Sequence, residues 1–216
     1  MHNPQELLTI ALLYFTSFFT LINPLGSMPV FLTMTAKLSK AERLKTALKA
    51  TVTALITLIF FAFAGQMLFD FFGISVNSFR VVGGIIFFVM GYDMLNARFS
   101  SFKSIPEESI KEYIDDISIT PLGIPMIAGP GAITNAIVLM EDSTDFVLKI
   151  LLLGTIIFTM FLTLIIYMGG TRITKFLGET GNKIMLKLMG LIVMVIAVEF
   201  FFAGLGPILQ DIFKSI

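Results

Sequence analysis

The stretch Thr20-Leu-Ile-Asn-Pro-Leu-Gly-Ser-Met-Pro29 lies in the middle of a run, residues 7–36, that contains no Asp, Glu, Lys or Arg. As one unbroken helix this 30-residue run would be about 45 Å long, well beyond a hydrocarbon core of about 30 Å. Its centre also resists continuous winding. Pro24 has no amide hydrogen and its ring clashes with the preceding turn, whereas Asn followed by Pro is a favoured cap and first residue for a new helix. The run therefore reads as two half-helices meeting at Asn23 inside a bilayer.

The rest of the chain supports that setting. Of 216 residues 56% are hydrophobic and 14% charged, against about 45–50% and about 25% in a soluble domain. Further charge-free runs cover residues 50–69, 117–140 and 150–171, and two apolar stretches near 79–97 and 184–205 are each interrupted by one acid. Each is long enough to cross a membrane. The expected fold is an all-α membrane protein of six transmembrane helices, in a single polytopic domain over 1–216, since no connection is long enough to hold a folded soluble domain. With no Cys and one His, disulfides, Cys/His zinc sites and thiol chemistry are excluded, and no cofactor is expected. No basic residue precedes the first apolar run, so that span is expected to stay in the membrane rather than be removed as a signal peptide.

Alternating the spans places 12 of the 15 basic residues on one side and Arg80, Lys149 and Lys214 on the other. The positive-inside rule then puts three basic loops in the cytoplasm and both termini outside. A weak internal similarity appears at an offset of about 106 residues. Asn23-Pro24-Leu25-Gly26 lies over Gly129-Pro130-Gly131-Ala132, Arg80-x-x-Gly83 over Lys187-x-x-Gly190, and Asp93 over Glu199. Repeat one is then 5–98, a cytoplasmic linker 99–116, and repeat two 117–216. Three spans per half force the halves to be inverted, a plan shared by many secondary transporters.

The fourth run repeats the device of the first: Pro121, Gly123 and Pro125 precede Gly129-Pro130-Gly131, where Gly129 can cap and Pro130 can begin a new helix. Unwound backbone at membrane depth is tolerated only inside protein or beside a water-filled cavity. Half-helix N-termini offer amide donors and partial positive charge to an anion; the ends near residues 20–22 and 127–128 offer carbonyls to an ammonium group. Both polarities in one cavity suit a small zwitterion. The expected binding residues are Asn23, Pro24, Gly26, Ser27, Gly129, Pro130, Gly131, Thr134 and Asn135, the last two placed in the first turn of the second half-helix. As a plain packing feature, each cluster would instead be a kink of the kind common in membrane helices.

The two motifs, residues 20–32 and Ile124-Pro-Met-Ile-Ala-Gly-Pro-Gly-Ala-Ile-Thr134, resemble those of the MarC family, also called the UPF0056 membrane proteins. Residues 80–84 and 187–191 are similar to that family's third and sixth spans. The resemblance implies six spans in two inverted repeats with helices 1 and 4 broken near the midplane, a prokaryotic cytoplasmic (inner) membrane, and a substrate held where those helices unwind. It also implies small neutral amino acids as cargo, since the family's characterised transporters carry them.

Asp93 and Glu199 are costly intramembrane charges. Facing a cavity, either could carry a coupling proton; otherwise each lies near an interface, as Asp93 would if paired with Arg98. Arg80 reads as a snorkelling anchor. The expected function is therefore a secondary transporter of glycine, alanine or serine by alternating access, driven by a proton or other ion. The alternatives are a non-transporting assembly or regulatory factor, or an exporter of another small solute. No nucleotide-binding loop, HExxH or GxSxG motif is present, so neither ATP-driven pumping nor catalysis is expected. The expected partners are the solute, the coupling ion and the lipid bilayer, not nucleic acid.

Overall fold

The computed structural model describes residues 3–96, 98 and 109–214; most of the expected 99–116 linker, including Glu107 and Glu108, lies outside them. Every regular element among the described residues is helical: α1 (Pro4–Ile22), α2 (Pro24–Met34), α3 (Lys40–Phe72), α4 (Val76–Leu95), α5 (Ile110–Ile117), a wide-turned π-helical stretch (Ser118–Ile127), α6 (Pro130–Asp142) and α7 (Phe146–Lys214). Five helical stretches are long and apolar enough to cross a membrane, and the bent pair Ile110–Ile127 and Pro130–Asp142, which turns by 59°, makes up to six. α7 supplies two of the five, Phe146–Gly170 and Thr180–Lys214. They are separated by Gly178, whose φ of 67° and ψ of −176° suit only glycine.

Local signals set the helix ends. Pro4 opens α1 behind Asn3, whose side chain accepts from the Gln5 amide. Ser39 and Glu42 satisfy each other's backbone amides at the start of α3, a capping box. α3 stops at Gly73, in the left-handed region at φ 64°. At 33 residues it is about 50 Å long. It outruns the charge-free run 50–69 because the basic residues before Ala50 wind into the same helix.

Three element starts in the second half follow those in the first by the same interval: Pro4 and Ile110, Pro24 and Pro130, Lys40 and Phe146 each differ by 106. The segment from α5 to α6 travels along α3. Asp115 pairs with Lys49 at 2.7 Å, Gly123 lies against Thr53, and Ile137 lies against Gly65. It thus advances from one end of α3 toward the other.

α4 packs antiparallel on Thr180–Lys214 along a line of small residues. A methyl group added at Gly190 would sit 2.8 Å from the Gly91 carbonyl oxygen, one at Gly84 would sit 2.8 Å from the Ala197 carbonyl, and Gly204 lies against Asn77 and Arg80. Without a hydrophobic driving force between helices in lipid, such backbone approach is the main source of association. Gly154, by contrast, has nothing within 4 Å of an added methyl. Gly190→Ala should therefore destabilise the fold by about 1–3 kcal/mol through overpacking, read as a lower thermal unfolding midpoint in detergent, whereas Gly154→Ala should leave that midpoint unchanged.

Candidate functional site

At the first interruption, between α1 and α2, Asn23 takes a left-handed conformation, φ 46° and ψ 60°. Its amide closes α1 by donating to the Phe19 carbonyl at 3.0 Å. Its side-chain oxygen accepts from the Gly26 amide at 3.1 Å and so opens α2. Asn tolerates this region better than other side chains. Gly26 has no room for a side chain, because an added methyl would collide with the Asn23 carboxamide. The Ser27 hydroxyl is also committed: it donates to the Asn23 carbonyl at 3.2 Å and accepts from the Tyr167 hydroxyl at 2.8 Å. Tyr167 is fully buried and stacks on Phe31 at 4.5 Å. The N-terminus of α2 is thus largely self-satisfied, not the open anion site that half-helix geometry alone suggests.

The second interruption is built differently. Between α5 and α6 the chain winds in wide turns over Ser118–Ile127, with extended residues at Thr120 and Ile124 and cis peptide bonds before Pro121 and Pro125. Gly129 then caps α6 in an extended conformation and offers no side-chain acceptor. Among the described residues the amides of Gly131 and Ala132 make no hydrogen bond. Thr134 Oγ1 and Asn135 Nδ2 are buried without partners. Both sit in the second turn of α6, one turn deeper than the sequence reading placed them. Buried helix ends and polar side chains are almost always satisfied; this break leaves up to four groups open at once.

The two breaks come together around shared side chains. A cavity of about 40 Å³ is lined by Ile22, Asn23, Gly26 and Ser27 at the first break, Met126 just before the second, and Leu21, Phe87, Met90, Met94, Val193 and Ile196 around them. Phe87 also presses its ring edge on Gly129, and Leu21 lies 3.1 Å from where a methyl on Gly131 would be. Leu21 and Phe87 therefore stand between Asn23 and Gly129. The free volume is about that of one or two waters, so the space is too small for an amino acid in this conformation. Pro24 and Pro130 are buried helix starts, and Pro130 packs on Gly83. The cavity's apolar walls carried no sequence signal, because Phe87 and its neighbour Phe88 look alike in an apolar run.

Neither intramembrane acid lines the cavity. Asp93 pairs with Arg98 at 3.0 Å, and Glu199 is exposed on Thr180–Lys214. Two tyrosines tie the half-helices to distant parts of the chain. Tyr113 of α5 donates to the Met34 carbonyl at the end of α2 at 2.8 Å, beside Arg43 donating to the Thr35 carbonyl at 3.0 Å. Tyr14 of α1 meets Ser143, just beyond α6, at 3.1 Å.

These features can be set beside known sequences. The MarC family integral membrane protein pattern matches residues 8–209. The chain belongs to the MarC family. It is 36% identical over 203 residues to a UPF0056 membrane protein of Pyrococcus abyssi, covering 93% of this chain and 96% of that one. It is 34% identical over 203 residues to one of Buchnera aphidicola, covering 93% and 94%, and 36% identical over 193 residues to one of Bacillus subtilis, covering 88% and 92%. The MarC relatives therefore span bacteria and archaea, and the protein is an integral membrane protein like them. No solved structure matches it.

The two roles of Asn23 in this MarC protein separate by mutation. Asn23→Gly keeps the left-handed residue and loses only the cap, a few tenths of a kcal/mol; Asn23→Ala loses both, about 1–2 kcal/mol. Thermal unfolding should place Asn23→Ala clearly below Asn23→Gly, and equal midpoints would contradict the geometry.

Proposed function

We propose that this MarC protein is a secondary transporter that moves small neutral amino acids of the glycine, alanine and serine class across the cytoplasmic membrane by alternating access. The observation that carries the reading is the meeting of two helix interruptions, 106 residues apart in register, around the same Leu21 and Phe87 side chains. Irregular backbone at membrane depth belongs where protein or a cavity receives it, and paired interruptions in two halves point to a binding site.

In this reading the chain has six spans in one polytopic domain, counting the bent α5–α6 segment as the fourth. Repeats 5–98 and 117–216 are inverted about the membrane plane and both termini lie outside. The equal spacing of element starts and the antiparallel α4 packing support that plan. A solute carboxylate binds at the uncapped start of α6, taking the Gly131 and Ala132 amides together with Thr134 and Asn135. The two side-chain polar atoms are buried and all four groups are unpartnered among the described residues, and the helix end adds partial positive charge. The ammonium group faces the carbonyls that end α1 and the oxygen-rich turn at Asn23. Gly26, Gly129 and Gly131 keep the space small, which restricts the side chain to a hydrogen, a methyl or a hydroxymethyl group.

Access requires Phe87 and Leu21 to part and one end to open. The Tyr113–Met34 bond closes the basic, cytoplasmic end, and the Tyr14–Ser143 bond closes the other. Tyr113, in the linker just before repeat two, holds the tip of α2 in repeat one, and Tyr14 of repeat one holds the residue after α6 in repeat two, so rocking one repeat against the other breaks one closure and keeps its counterpart. Energy comes from an ion gradient or from exchange. No coupling proton is routed through Asp93 or Glu199, since neither reaches the cavity.

Purified protein in proteoliposomes should take up radiolabelled glycine, alanine or serine saturably. Gly131→Leu, which thrusts a side chain at Leu21 and Phe200, should lower the rate about tenfold or more while the protein stays folded, because a small misplacement of binding groups is worth about that much. Stimulation by an imposed pH gradient would identify a proton as the coupling ion. Absence of uptake of all three by folded protein would overturn the substrate reading and favour export of another solute or a non-transporting assembly role.

A further inference from the structure

Glu199 is the one acid among the described residues of 184–205, and the transport reading gives it no task. α4 crosses the membrane with its 20 residues, Val76–Leu95. Its Gly83 and Gly84 lie against Phe200, Ala197 and Phe201. Glu199 is therefore level with a point seven or eight residues into α4, about 11 Å from the end of that span. This is hydrocarbon depth, not headgroup depth. Ala197, two residues earlier, is buried and faces α4; at about 100° per residue Glu199 points to nearly the opposite side. There it is exposed and makes no hydrogen bond or ion pair among the described residues.

Acidic side chains within membrane spans face protein or water and find partners; they do not face lipid alone. The surroundings give the partner's shape. Leu188, Ile192, Val195, Phe202 and Leu209 are all well exposed and lie with Glu199 on one stripe, in steps of four and three residues. That spacing is the seam of two helices packed along their length, and one polar residue within such a seam fixes register.

We propose that this face of Thr180–Lys214 is the contact between two copies of the chain, with the Glu199 carboxyl groups hydrogen-bonded to each other across it. Membrane insertion gives every copy the same orientation, so a closed pair has its two-fold axis along the membrane normal. Identical residues of the two copies then lie at the same depth. Glu199 meets its own counterpart, and a protonated carboxyl donates to the other carboxyl. Such a pair needs no cation, and none of the seam residues supplies one.

The chain has no Cys, so single cysteines report the contact cleanly. Under mild oxidation in membrane vesicles, Val195→Cys should give a disulfide-linked pair, whereas Phe161→Cys, equally exposed on the other span of α7, should stay single. Adding Glu199→Leu to Val195→Cys should reduce the linked fraction about fivefold, the effect of one interhelical hydrogen bond in the middle of its range. Adding Glu199→Gln, which still donates and accepts, should keep it. Because Glu199→Leu only adds apolar surface at an exposed position, an unchanged detergent melting midpoint certifies its fold. Linkage at Phe161→Cys equal to that at Val195→Cys, no linkage at either, or linkage unaffected by Glu199→Leu would overturn the proposal.

Discussion

In hydrocarbon no water can rescue an unpaired backbone amide or carbonyl, and each one left open costs several kcal/mol. Everything distinctive in this protein follows from where it violates that rule. Uninterrupted helices such as α3 and α4 satisfy their own backbones and need only close neighbours, which the glycine contacts between α4 and Thr180–Lys214 provide. The interruptions at Asn23 and at Ser118–Ala128 open the backbone in the middle of the fold. Both are buried against other helices, with α4 across them.

The two breaks handle the opened backbone unequally. Asn23 does so within one residue, by closing α1 with its amide and starting α2 with its side chain, while the Tyr167–Ser27 pair locks the turn beside it. The second break has no such residue, since Gly129 cannot cap with a side chain and Pro125 and Pro130 remove donors. It is left with free amides at Gly131 and Ala132 and with Thr134 and Asn135 unpartnered. One break is thus a rigid frame and the other a set of waiting donors. In the proposed transport reading, that asymmetry suits a dipolar ligand held between the two breaks.

Much of this was legible in the sequence because Pro, Gly and Asn act locally. Asn23-Pro24 and Gly129-Pro130 announced both helix starts, and the charge-free runs announced the spans. The offset of about 106 residues is visible in the sequence, and three pairs of helix starts are 106 apart. What stayed hidden depends on direction, not composition. A helix apolar on all sides has no readable face, so Phe87, which separates the two breaks, could not be told from Phe88, which is exposed. For the same reason the sequence does not tell which side Glu199, a coupling candidate, presents; it is exposed and does not line the cavity. The commitment of Ser27 to Tyr167 joins residues 140 apart in sequence and leaves no local trace.

The central claim is that the two breaks share one space that solvent reaches from either side in turn. In this cysteine-free chain, Met126→Cys and Thr134→Cys can be challenged with a membrane-impermeant maleimide applied to each side of sealed vesicles. The account predicts that both positions react from both sides, and that saturating glycine or alanine slows the reaction at both. Reaction from one side only at both positions, or labelling indifferent to either amino acid, would contradict it.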